Sequence, residues 1–136
     1  AVPPDSKFAK HKTVDLREVK EENFIRLGNG WQLRGICDDF CRRAGIRPQA
    51  VFESNSPESV RNLIAAGLGI GFWPEKAWGG KPGHGVLIPI RYPNCRRDLV
   101  VTVFEQAGNK PVVDEFVNYF CKYFEKDPSG MGDVTV

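Results

Sequence analysis

The sequence predicts an α/β domain with a largely parallel sheet, and three observations carry that reading. Short runs rich in β-branched and aromatic residues alternate with longer stretches in which apolar residues recur at helical spacing. Gly and Pro fall at the junctions, as at Gly28, Gly30, Gly45, Pro48, Gly67 and Pro74. The repeated order of strand then helix calls for crossover connections, and those produce parallel pairing.

Residues 1–12 are polar and rich in Pro and Lys, and read as a linker or hinge segment entering the domain. Val14 to Val19 is a short segment of no clear type. Asn23 to Leu27 predicts a strand, followed by Gly28-Asn29-Gly30. From Trp31 to Ala44 the residues Leu33, Ile36, Cys37, Phe40, Cys41 and Ala44 share one helical face, and Gly45 supplies the stop. Pro48 to Ser54 predicts a second strand. Ser56-Pro57-Glu58 is a helix start, with Ser as N-cap, Pro at the first helical position and an acid in the first turn. Val60, Leu63 and Ile64 give that helix its apolar stripe, and Gly67 ends it.

Gly69 to Trp73 predicts a third strand, closed by Pro74, with Phe72 and Trp73 expected in the core. Gly79 to Gly85, with Pro82, reads as a loop, and His84 within it as a solvated residue. Val86 to Ile90 and Leu99 to Glu105 predict further strands, the latter central. A last helix starts near Pro111 and carries Val112, Val113, Phe116, Val117, Phe120, Cys121 and Phe124 on one side. Asp114 and Glu115 are placed in its first turn, Lys122 and Lys126 in its last. Residues 127–136 read as a disordered tail.

Composition narrows the function. With 136 residues, 41% hydrophobic and 26% charged, the chain suits one globular domain. The net charge is +2, and Arg42-Arg43 and Arg96-Arg97 are only pairs, so no basic patch for nucleic acid is present. No apolar stretch approaches the roughly 18 residues of a membrane span, and no membrane partner is expected. The opening residues carry no apolar signal-peptide core, and the start without Met points to a chain cut from within a longer one; a cytoplasmic location follows as the expectation.

Cys37, Cys41, Cys95 and Cys121 form no CxxC pair and read as reduced, mostly buried thiols. Only His11 and His84 could assist them, neither at ligand spacing, so neither a metal nor a cofactor is expected. Glu53, Glu58 and Glu75 have no acid/base spacing, and no nucleophile–base pattern is found.

Two turns carry chemistry. Gly28-Asn29-Gly30 links a strand end to a helix starting near Trp31, and Asn55-Ser56 links a second strand end to the helix at Pro57. Both helix N-termini would lie at the carboxyl ends of strands, where open α/β sheets bind ligands. Free N–H groups and the helix dipole favour an anion there, so a small carboxylate is the natural ligand class. Trp31 could add a ring wall and Gln32 an amide. Beside this stands the plainer reading, in which Gly28, Gly30 and Ser56 are turn and cap residues and Trp31 packs in a core or an interface.

The set of motifs resembles the effector-binding domain of LysR-type bacterial transcription regulators. Phe52-Glu53-Ser54-Asn55-Ser56-Pro57-Glu58, then Leu63-Ile64-Ala65-Ala66-Gly67-Leu68-Gly69-Ile70-Gly71-Phe72-Trp73-Pro74-Glu75, is similar to the family's helix, glycine pattern and strand ending in Pro-Glu. Phe24 to Gly30, Arg43-Ala44-Gly45-Ile46-Arg47-Pro48 and Leu99 to Phe104 fit the same order. The resemblance implies a fold like type II periplasmic binding proteins, with 13–90 as the second lobe and 97–126 as the returning strand and helix of the first. It implies no enzyme, but a sensing domain that binds a small, anionic effector at Gly28, Asn29, Gly30, Trp31, Gln32, Asn55 and Ser56 in the inter-lobe cleft. It further implies a homodimer or larger assembly, and DNA binding only through an N-terminal winged helix-turn-helix absent from these residues. A solute-binding protein of the same fold and a small α/β enzyme are the alternatives.

Overall fold

The computed structural model describes residues 1–79, 83–97, 100–104 and 108–125, in two units, Ala1–Arg96 and Arg97–Val136. In the first unit β1 (Val14–Asp15) runs into a 3-10 turn (Leu16–Val19), then β2 (Asn23–Leu27), α1 (Gln32–Arg43), β3 (Gln49–Ser54), α2 (Pro57–Ala65), α3 (Glu75–Trp78) and β4 (Ile90–Tyr92). The second unit holds α4 (Lys110–Glu125).

β2 is the axis of the site. It pairs in parallel with β3, from Asn23 opposite Gln49 to Leu27 opposite Ser54. On its other side Ile25 N–H donates to Ile70 O and Ile70 N–H to Asn23 O, both at 2.8 Å. The third strand expected over Gly69–Trp73 is therefore an extended segment joined to β2 by one parallel bridge at Phe24 and Ile70. Its glycines explain the closeness of that approach. A Cβ on Gly69 would stand 2.5 Å from Asn23 O, and one on Gly71 would stand 2.8 Å from Ile25 O.

Alternation along β2 divides the core. Phe24 packs with Leu16, Val19, Phe40, Cys41 and Ile70 on one face. Ile25 and Leu27 pack with Leu33, Val60 and Ile64 on the other. Phe72 joins the first cluster, its ring 6.2 Å from both Phe24 and Phe40, as the sequence led us to expect. Trp73 instead meets Trp78 edge-on at 4.8 Å. α1 and α2 end as read, with Gly45 at φ +71° and Gly67 at φ +85°.

Residues 1–12, expected as a linker or hinge segment, pack against the domain: Val2, Pro3 and Phe8 are buried, and Val2 exchanges 2.9 Å backbone hydrogen bonds with Val86. Polar composition concealed those few apolar anchors. Of the strand expected over Val86–Ile90 only the ends pair, Val86 in that bridge and Ile90 in β4, and Pro89 between them has no N–H to donate though its carbonyl accepts from Val14 N–H at 3.0 Å. Pairing resumes in β4, which lies parallel to β1. The helix α3 was not anticipated.

Within the second unit, Val100 to Phe104 form no strand, with Val100 86% and Phe104 79% exposed. β-branched residues favour a strand only where a partner accepts it. α4 starts at Lys110, so Asp114 and Glu115 fall beyond its first turn. Its apolar arc is wider than the sequence pattern suggested, with Val112, Phe116, Tyr119 and Tyr123 all exposed. Lys126, the tail over 127–136 and parts of the 79–85 loop and the 99–105 segment lie outside the described residues.

Candidate functional site

The parallel pairing of β2 and β3 brings the two sequence-predicted turns side by side. Gly28 N–H donates to Ser54 O at 3.0 Å, so the first turn is hydrogen-bonded to the end of the neighbouring strand. The Asn55 carboxamide fills the space above Gly28: a Cβ there would stand 2.1 Å from Asn55 Oδ1. The Trp31 indole Nε1 donates to Asn55 O at 3.1 Å. Gly28, Trp31 and Asn55 thus form one contact set.

Asn29 and Gly30 in the turn, and Gln32 at the start of α1, are exposed. Ser56 is the N-cap of α2, its Oγ accepting from Ser59 N–H at 3.2 Å.

The two helix N-termini differ in electrostatics. α2 is satisfied internally, by the Ser56 cap and by Glu58 in its first turn. α1 begins at Trp31 with no side-chain cap and no acid in its first turn. An α-helix leaves its first N–H groups without internal acceptors, and the dipole places partial positive charge there. Of the two, α1 is the better anion receptor.

One residue at this site was missed by the sequence reading. Arg34, on the polar side of α1 and only 11% exposed, donates through Nη1 to Leu27 O at 2.6 Å. The same guanidinium meets Asp38 at 3.0 Å and Glu53 at 2.9 Å, and Arg26 also pairs with Asp38. Burial works against the Arg34 charge, but Glu53 and Asp38 outweigh it and hold the group above its ordinary pKa. The i,i+4 spacing of Arg34 and Asp38 was the signal available in the sequence; the link to Glu53 needed the fold.

Other features carry less. A partly open cavity of about 20 Å³ beside Phe24, Leu33, Cys37 and Val60 has room for about one water molecule. Burial pushes the Cys37 thiol up to about 12 and those of Cys41 and Cys95 up to about 11. Such thiols are protonated and weakly nucleophilic. No cluster of three or more His, Cys, Asp or Glu suited to a metal occurs among the described residues. Among them, too, no helix is long and apolar enough to cross a membrane.

Residues 1–124 match the LysR substrate binding domain model, and the chain belongs to that family. Among similar proteins, the transcriptional dual regulator GltC of Bacillus subtilis is 28% identical over 126 residues, covering 92% of this chain and 42% of GltC. The DNA-binding transcriptional dual regulator OxyR of Escherichia coli is 32% identical over 101 residues, covering 73% of this chain and 33% of OxyR. The chain therefore spans less than half of these relatives, which are transcriptional regulators rather than enzymes.

Solved structures agree on the fold. The effector binding domain of QuiR in complex with shikimate superposes with a TM-score of 0.67 at 17% identity, covering 93% of this chain and 60% of that one. HinK, a LysR family transcriptional regulator from Pseudomonas aeruginosa, gives 0.63 at 23% identity, covering 87% of this chain and 41% of HinK.

Proposed function

We propose that this chain is the sensing part of a LysR-family regulator and that it holds a small organic acid or amino acid against the 28–32 and 55–56 turns. The observation that carries the reading is the uncapped, acid-free N-terminus of α1, set beside Asn55 by the Trp31 hydrogen bond. Backbone N–H groups in that setting stabilise a carboxylate. The shikimate bound by the QuiR domain, which shares this fold, is a compound of that class.

We place 13–90 as the second lobe and 97–126 as the returning segment and helix of the first. Self-association belongs to the same proposal, supported by β3, which pairs only with β2 among the described residues and leaves Val51 and Phe52 43% and 44% exposed. DNA contact is assigned to parts of the full-length regulator outside these residues, consistent with the net charge of only +2. A regulator of this kind acts in the cytoplasm, where its DNA is.

The test is a titration of the 15N-labelled chain with shikimate, other small organic acids and amino acids. Amide shifts are expected to cluster at Gly28, Asn29, Gly30, Trp31, Gln32, Asn55 and Ser56. Shifts confined to the 79–85 loop would place the site elsewhere.

A further inference from the structure

We infer that Arg34 is the positioning residue of this site, the group that fixes the 28–32 turn against the 55–56 turn. The inference rests on the reading that these two turns hold the effector. One planar guanidinium reaches three segments: Leu27 O at the end of β2, Asp38 one turn along α1, and Glu53 next to the end of β3. Leu27 immediately precedes the first turn, and Glu53 stands two residues before Asn55.

Only a forked, delocalised cation satisfies three acceptors set at fixed angles; a lysine ammonium on a flexible stem does not. The charges also balance, Arg26 and Arg34 against Asp38 and Glu53. With its charge spent internally, Arg34 acts on a bound anion through the turns rather than by direct contact. The backbone N–H groups of the first turn of α1 remain the groups that face the ligand.

Replacing Arg34 leaves no isolated buried charge, because Asp38 keeps Arg26 and Glu53 is 41% exposed. The fold should therefore tolerate Arg34→Gln, and Glu53→Gln serves as a milder second variant. Amide hydrogen exchange decides the matter. In Arg34→Gln the bonded amides of Gly28, Trp31 and Ser56 are expected to exchange at least about tenfold faster, while Ile25 and Ile70, bonded across the core, stay at wild-type rates. Glu53→Gln is expected to loosen Ser56 more than Gly28, and Arg34→Lys to leave all three loosened.

Unchanged turn amides, or equal acceleration at Ile25 and Ile70, would overturn the inference, the latter marking a plain contribution to the fold. A parallel titration uses shikimate as the probe. Where it shifts the wild-type turns, Arg34→Gln is expected to weaken its apparent affinity by about tenfold, and an unchanged affinity counts against Arg34. If shikimate leaves the wild-type turns unmoved, the effector reading fails for that acid, while the exchange data still decide the role of Arg34.

Discussion

Gly28 and Asn55 interlock: the Asn55 carboxamide occupies the place a side chain at residue 28 would need, with Oδ1 2.1 Å from the ideal Cβ position. The glycine that sequence reasoning took for a turn residue thus makes room for a polar group from the neighbouring strand end. Asn55 is held over the turn by its own carbonyl, which accepts from the Trp31 indole.

Gly28→Ala is therefore expected to swing the Asn55 side chain away, disturbing the site more than the fold. Alone it should cost about 1 kcal/mol. Because the two residues share one space, Gly28→Ala and Asn55→Ala should not add: the double variant should recover at least about 0.5 kcal/mol relative to the sum of the singles. Urea unfolding of the four proteins in the cycle measures it, and strict additivity would show that the contact has no energetic content.

Ser56→Ala removes the oxygen that accepts from Ser59 N–H and caps α2. The expected loss is about 1 kcal/mol, seen as a lower urea midpoint with unchanged slope. Effector affinity should change little, because α2 is already compensated by Glu58. A large affinity loss with no stability change would move Ser56 from cap to ligand contact.

The elements around β2 were legible because their signals are local. The Ser56-Pro57-Glu58 start and the Asn23–Leu27 run each carry their own instruction, and the structure places both elements as read. What the sequence hid depends on partners far along the chain. Pro89 falls in a run whose residues favour a strand, and Val100 to Phe104 form none. At the site the turns were visible from Gly28, Gly30 and Asn55, whereas Arg34 gained its meaning only when β3 brought Glu53 beside it.

Cys37, Cys41 and Cys95 are expected to resist alkylation. Their thiols ionise only at about 11 to 12, so at pH 8 almost none is thiolate. Iodoacetamide should modify them far more slowly in the native chain than in urea. The linked stability effect has a definite sign: a raised folded pKa leaves the fold unaffected below the ordinary thiol pKa near 9 and weakens it as pH rises above that value. Fast native labelling at Cys37 would show that α1 opens readily from the core.

Asp15 carries the opposite sign. Its carboxylate is 2% exposed and paired by two side-chain hydrogen bonds with Arg17, at 2.9 and 2.6 Å, which hold its pKa at about 2 despite the burial. A depressed folded pKa contributes stability above the unfolded value near 3.8 and loses it as pH falls towards 2. Asp15→Asn should accordingly flatten the acid limb of the stability profile between those values. An acid limb identical to that of the wild type would assign the transition to other carboxylates.

Among the described residues β3 pairs only with β2, and it exposes Val51 and Phe52 within its six residues. A strand edge that exposes apolar side chains invites pairing with a second chain. The exposed Val112, Phe116, Tyr119 and Tyr123 of α4 add a second apolar surface. Sedimentation equilibrium is expected to show a species heavier than the 15.2 kDa chain. Phe52→Lys places a charge on the β3 edge and should shift the equilibrium towards monomer if that edge is the interface. Association that survives Phe52→Lys would transfer the contact to α4, where Phe116→Lys is the matching test. A clean monomer in the unsubstituted chain would remove self-association from the proposal altogether.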